Sequence, residues 1–173
     1  LIHTDVLELE IKAILHSPYK LIANIPYYIT GEIIRKFLES DFQPNSMALL
    51  VQKEVAERIV AKDGKESILS ISVKVYGEPK YGGTVKRGLF RPIPNVDSAV
   101  LIINNISKDF FNDISEQTFF EIVKKGFSQK RKQLKGTLGE IINIEKMEEA
   151  IDDATRRPET LTKEEWKKIV KAL

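Results

Sequence analysis

Hydrophobic residues recur along this chain with two spacings. Residues 19–23 form a short apolar run halted by Asn24-Ile25-Pro26-Tyr27-Tyr28. That pattern predicts a buried strand ending in an irregular loop, because proline fixes its own φ and restricts the residue before it. Ile33, Ile34, Phe37 and Leu38 then fall on one helical face, with Thr30 placed to cap the helix and residues 41–45 to end it. Residues 46–51 repeat the strand signal, and Val55, Ala56, Ile59 and Val60 the helical one, ending near Asp63-Gly64. Strands alternating with helices predict a mainly parallel sheet. The opening Leu1-Ile2-His3 is strand-like and lacks a cap or initiating methionine, so further chain is expected ahead of it.

Residues 67–76 carry two patterns at once. Leu69, Ile71, Val73 and Val75 alternate with polar residues at the period of a strand, yet a run this short is equally compatible with a helix. Two further strands are expected at residues 81–89 and 98–104, around a proline-rich turn. After Ser107 the signals become helical. Phe119, Phe120, Val123 and Phe127 mark an amphipathic helix that Ser115 can cap, and Thr162 and Glu165 stand at capping-box spacing before Trp166, Ile169, Val170 and Leu173. The change divides the chain into an α/β part, residues 1–106, and a helical part, residues 107–173.

With 173 residues, 42% of them hydrophobic, the chain can bury one core or one core with a small appendage. No apolar stretch approaches the roughly 18 to 20 residues of a membrane span, and the start lacks a basic segment followed by an apolar run, so a cytoplasmic protein is expected. The absence of cysteine excludes disulfides, thiol nucleophiles and cysteine-held metals, and only His3 and His16 remain as imidazole ligands, so no metal is expected. Neither histidine has a partner pattern, and neither is assigned a role. A net charge of +2 says little about nucleic acid by itself. The distribution says more: Lys124, Lys125, Lys130, Arg131, Lys132 and Lys135 occur in one stretch without an acidic residue. Such clustering suits phosphate contact through counterion release, the alternative being a solvated helix face.

Asn24-Ile25-Pro26-Tyr27 suits chemistry on an exocyclic amine. The amino nitrogen of adenine is a poor nucleophile because its lone pair is delocalised into the ring. Hydrogen-bond acceptors for both of its N–H groups would pyramidalise it. The Asn24 side-chain oxygen and the Ile25 carbonyl can supply them, with Pro26 stiffening the loop and Tyr27 offering a stacking face. The competing interpretation is a turn in which Asn24 caps the strand end and Tyr27 fills core.

The segment Leu89-Phe90-Arg91-Pro92-Ile93-Pro94-Asn95-Val96-Asp97-Ser98-Ala99-Val100 makes the resemblance specific. Together with the tetrapeptide, Gln52-Lys53-Glu54-Val55-Ala56-Glu57-Arg58-Ile59, Gly126-Phe127-Ser128-Gln129-Lys130-Arg131-Lys132-Gln133-Leu134 and Arg157-Pro158-Glu159-Thr160-Leu161, it resembles the KsgA family of small-subunit rRNA adenine dimethyltransferases over nearly the whole chain. The resemblance implies an incomplete Rossmann-like class I methyltransferase sheet with a small carboxy-terminal all-α domain, and it favours a helix for residues 67–76. It implies dimethylation of two adjacent adenines by S-adenosylmethionine in small-subunit rRNA or a 30S precursor. Asn24, Ile25, Pro26 and Tyr27 match the catalytic tetrapeptide, with isoleucine where leucine is usual, and Phe90 matches the aromatic on the opposite face of the flipped adenine. Asp5 matches the acidic residue near the donor's adenine, with Asn24 also close to the donor, and the basic stretch falls in the RNA-docking region.

One family feature is missing from the sequence. No Gly-x-Gly loop follows a first strand, and no later acid is available for the donor ribose, so Asp5 is expected to be part of a donor site rather than a whole one, or simply a solvated carboxylate. The strand at residues 19–24 would then lack a neighbour, and its exposed edge predicts self-association. Two other functions stay open: a non-catalytic module that binds rRNA, and a DNA adenine methyltransferase. The tetrapeptide supports the latter, whereas residues 90–100 and the basic helices oppose it.

Overall fold

The computed structural model describes residues 1–129 and 131–173. The chain folds as two compact units, Leu1–Val60 with Tyr76–Ser107, and Ala61–Val75 with Lys108–Leu173. In the first unit the elements run α1 (Ile11–Ile14), β1 (Lys20–Asn24), α2 (Thr30–Glu39), β2 (Ser46–Gln52), α3 (Lys53–Val60), β3 (Glu78–Val85) and β4 (Ser98–Asn104), with α4 (Ile68–Lys74) of the second unit falling between α3 and β3 in sequence.

The sheet order is β1-β2-β4-β3. β1 runs parallel to β2, with Lys20 opposite Ser46 and Asn24 opposite Leu50. β4 is antiparallel to both β2 and β3, so the sheet is mixed rather than mainly parallel. Residues 86–97 join β3 directly to β4 with no crossover helix, which obliges the chain to return antiparallel. Met47, Leu49 and Val51 on β2 stand opposite Ile103, Leu101 and Ala99 on β4, and all six are buried. α3 packs on this sheet with Ala56 and Ile59 inward, and α2 buries Ile33, Ile34, Phe37 and Leu38, the face expected from their spacing.

Several local expectations are corrected. Leu1, Ile2 and His3 are exposed and form no strand. β1 is not a buried strand: its residues alternate between exposed and half-buried, because it has a single neighbour and lies at the sheet's edge, where Ile22 is 81% exposed. Thr30 is the first helical residue of α2 and not its cap. Ile29 holds the cap position, and Thr30 Oγ1 donates to the Tyr27 carbonyl at 3.0 Å. α3 stops at Val60, where Ala61 turns the chain at φ +54°, before Asp63-Gly64. β3 ends at Val85, four residues short of Leu89, since residues 87–89 close into a 3-10 turn.

The second unit is helical: α4, α5 (Glu116–Gly126), α6 (Leu134–Leu138), α7 (Ile144–Ile151) and α8 (Lys163–Lys171). Capping decides residues 67–76 in favour of a helix. Ser67 Oγ accepts the Ser70 N–H at 3.1 Å and Ser70 Oγ accepts the Ser67 N–H at 2.7 Å, so the first turn is satisfied despite the strand-like alternation behind it. Ser115 caps α5 by accepting the Thr118 N–H. The Thr162–Glu165 capping box starts α8, whose Trp166, Ile169 and Val170 are buried. Leu173 lies beyond that helix and is exposed, so it does not extend the packed face.

Candidate functional site

β1 delivers Asn24 to the carboxyl end of the sheet. Pro26 holds an extended backbone there, with φ −61° and ψ 131°, and the chain then tightens into a 3-10 turn over Tyr27–Ile29 that leads into α2. Ile25 is buried and anchors the turn, whereas Asn24 and Pro26 are exposed. The Asn24 amide makes no hydrogen bond among the described residues. Tyr27 is half-buried, and its hydroxyl lies 2.5 Å from Oγ of Ser98, the fully buried first residue of β4.

Residues 86–97 form the facing wall. The Asp97 carboxylate accepts the Arg87 N–H at 2.9 Å and the Lys86 ammonium at 3.2 Å. Those two bonds, the Arg87 amide first, hold the Asp97 carboxyl below the usual range. Within the loop, Arg87 Nη1 donates to the Asn95 carbonyl, and Arg91 Nη1 donates to the carbonyls of Gly88 and Phe90. The Arg91–Pro92 peptide is cis.

Between the two walls lies an open cleft of about 200 Å³, lined by Asn24, Ile25, Pro26 and Tyr27 on one side and Phe90, Arg91, Pro92 and Pro94 on the other. All five residues assigned to catalysis from sequence therefore meet in one place. An unengaged amide beside two half-buried aromatic rings can receive a planar heterocycle bearing an amino group. Asp5 does not line this cleft. It is exposed, and its Oδ1 accepts the Leu7 N–H at 2.8 Å.

In the second unit, Lys124 and Lys125 occupy the last turn of α5 and are exposed, as are Arg131, Lys132 and Lys135. Lys130 lies outside the described residues. A basic concavity of about 350 Å³ is lined by Arg131, Lys132, Gln133, Lys135, Gly136 and Arg157. Arg157 was not in the basic stretch read from sequence; it is separated from Lys135 along the chain, and only folding brings it to the same surface. Asp97 and Ser98 likewise lie in a recognisable segment, but their partners Arg87 and Tyr27 are set by the fold. Among the described residues, no group of three or more His, Asp or Glu side chains is arranged to hold a metal ion, and no helix is long and apolar enough to cross a membrane.

The family model for ribosomal RNA adenine dimethylases matches residues 1–173. The ribosomal RNA small subunit methyltransferase A of Dehalococcoides mccartyi strain BAV1 is 42% identical over 177 residues, covering 98% of this chain and 61% of the relative. The protein of the same description from Fusobacterium nucleatum is 46% identical over 140 residues, covering 80% of this chain and 53% of its own length. This chain thus spans about three fifths of the length of the curated relatives it matches first. Among solved structures, the 23S rRNA methyltransferase ErmE superposes with a TM-score of 0.80 over 99% of this chain and 70% of its own, at 22% identity. A dimethyladenosine transferase from Plasmodium falciparum gives 0.81 over 97% and 70%, also at 22% identity. Those two likenesses establish the fold, the α/β fold that this chain shares with them. With its full length matched by the family model, the chain belongs to the ribosomal RNA adenine dimethylase family.

Proposed function

We propose that this chain is the target-base half of an rRNA adenine N6,N6-dimethyltransferase acting on two adjacent adenines of small-subunit rRNA in a 30S precursor. The observation that carries this reading is the cleft, whose lining includes the unengaged Asn24 amide, Tyr27 and Phe90. An adenine extruded from its stack would lie between the two rings, at a cost in unstacking that the two aromatic contacts offset. Asn24 Oδ1 and the Ile25 carbonyl accept its two amino hydrogens and localise the nitrogen lone pair. Held this way, the nitrogen would present its lone pair toward a bound methyl donor, and the proton it sheds on being methylated would pass to solvent through the open cleft. No strong base is needed within the cleft.

When bound, S-adenosylmethionine supplies the electrophilic methyl group. The residues present fit only the adenine end of that donor: Asp5 is solvent-exposed and has one oxygen engaged by Leu7, which leaves the other for an amino group. Asn24 would border the donor as well as the base. The sequence offers no glycine-rich loop for the methionine end. We therefore assign this chain, taken alone, RNA binding without transfer, with residues 1–106 presenting the base site and residues 107–173 docking on rRNA through Lys124, Lys125, Lys130, Arg131, Lys132 and Lys135. The exposed edge of β1 is a route to self-association. The match of the whole chain to an RNA-modifying family weighs against a DNA adenine methyltransferase.

Calorimetric titration with S-adenosylmethionine tests the assignment. Heat from a longer natural polypeptide and none from this chain is expected. Clear binding by this chain would overturn the inactive assignment, and failure of the longer polypeptide to methylate small-subunit RNA would overturn the function.

A further inference from the structure

Asp97 and Ser98 are adjacent in sequence and fasten opposite walls of the cleft. Ser98 is fully buried, and its place in the sheet, opposite Gln52 on one side and Val85 on the other, fixes its position. Its Oγ, 2.5 Å from the Tyr27 hydroxyl, ties the strand-end turn to β4. The Asp97 carboxylate closes the base of the facing loop through the Arg87 N–H at 2.9 Å and the Lys86 ammonium at 3.2 Å, and Phe90 lies within the loop so closed. The Asp97 carbonyl also accepts the Lys53 N–H at 3.0 Å, which holds the same residue to the start of α3.

We propose that Asp97 and Ser98 are a pair of positioning residues that set the separation of the Tyr27 and Phe90 rings, and hence the alignment of the amino nitrogen between them. This rests on the reading of the cleft as the target-base site. Neither side chain lines the cleft, so neither is catalytic in its own right. Both act through an aromatic residue that does line it. The cations proposed above to dock on RNA do not line the cleft, so loosening the rings should disturb alignment more than binding. A misplacement of about 1 Å in a reacting group can cost on the order of a hundredfold in rate, so even partial loosening should be visible.

The test uses the longest natural polypeptide that contains this chain, with S-adenosylmethionine and small-subunit particles lacking the adenine methylation. Asp97→Ala is expected to lower kcat about tenfold, to leave the KM for RNA within about twofold, and to speed amide hydrogen exchange at residues 87–90. Asp97→Asn retains an oxygen for the Arg87 N–H and should recover most of the lost kcat. Ser98→Ala and Tyr27→Phe should each lower kcat several-fold, and the double variant should lose no more than the worse single one, the signature of one shared contact. Unchanged kcat in Asp97→Ala, failure of Asp97→Asn to recover it, or additive losses in the Tyr27–Ser98 cycle would overturn the proposal. The cycle decides independently where Asp97→Ala lowers the folded fraction. A parent protein that transfers no methyl group would sink the functional reading alone, and exchange at residues 87–90 would still show whether Asp97 holds the loop.

Discussion

Gly126, at the end of α5, lies directly against the indole of Trp166 in α8. A Cβ at this position would overlap Cη2 of the ring and come within 3.0 Å of Cζ3, while Phe127 stacks on the same indole with ring centroids 5.7 Å apart. Trp166 is fully buried and cannot swing into solvent to make room. Alanine is intrinsically the better helix former by about 1 kcal/mol, but overpacking a fixed core ring costs about 1–3 kcal/mol, so the steric term should win. Gly126→Ala is therefore expected to lower the urea midpoint, and a raised midpoint would mean the helices separate at little cost.

In the longer natural polypeptide, Asn24→Ala should depress methyl transfer far more than RNA binding. If the amide accepts from the target amine chiefly in the transition state, kcat should fall by about a hundredfold or more while RNA affinity changes by less than about threefold. Equal loss in the two measurements would show that Asn24 serves binding or local structure instead.

The helices were legible where caps and apolar periodicity agreed, as in α5 and α8, α2 was legible from its apolar face alone, and the two β-strands flanked by clear breakers, β2 and β4, were equally plain. What the sequence concealed was relational. Alternation in residues 67–76 signals a strand until the Ser67–Ser70 capping box is considered, and the direction of β4 depends on the absence of a crossover that local patterns do not reveal. The tetrapeptide and Phe90 were recognisable as motifs, and the fold brings them to one cleft. Arg157 could not be placed with Lys135 because proximity across the fold has no local signal.

Lys124, Lys125, Arg131, Lys132 and Lys135 form no salt bridge among the described residues, so they are open to phosphate. Replacing Arg131, Lys132 and Lys135 together with glutamine should flatten the dependence of log affinity for RNA on log salt by roughly 2 to 3. An unchanged slope, measured by filter binding across several salt concentrations, would place these cations away from the RNA backbone.

Asp113 should give the stability curve an acid limb. Lys167 and Lys171, both bonded to its carboxylate, hold its pKa down to about 2. A carboxylate depressed on folding contributes stability above its unfolded pKa of about 4, and that contribution fades as pH falls through its folded value. The group is substantially exposed and solvent screens the pairs, so the effect should be small. Asp113→Asn is expected to flatten thermal stability between about pH 4 and pH 2 without altering the trend above pH 5. The same slope in both proteins would dismiss the pairs as contributors.

The β1 edge carries Ile22 at 81% exposure, with no strand beyond it among the described residues. Sedimentation of this chain should show association that rises with concentration and is suppressed by Ile22→Lys, since a charged edge resists pairing. A monomer at high concentration would refute this.

The division of the chain bears on its birth at the ribosome. Residues Ala61–Val75 belong with Lys108–Leu173, so the helical unit is built from two stretches separated by two β-strands. Chains emerge amino-terminus first. The first helix of that unit, α4, is therefore translated well before the helices with which it will be buried, and must wait through the making of the entire β3–β4 hairpin. Its own capping box, Ser67 with Ser70, gives this early segment a local reason to hold a helical turn until the rest arrives.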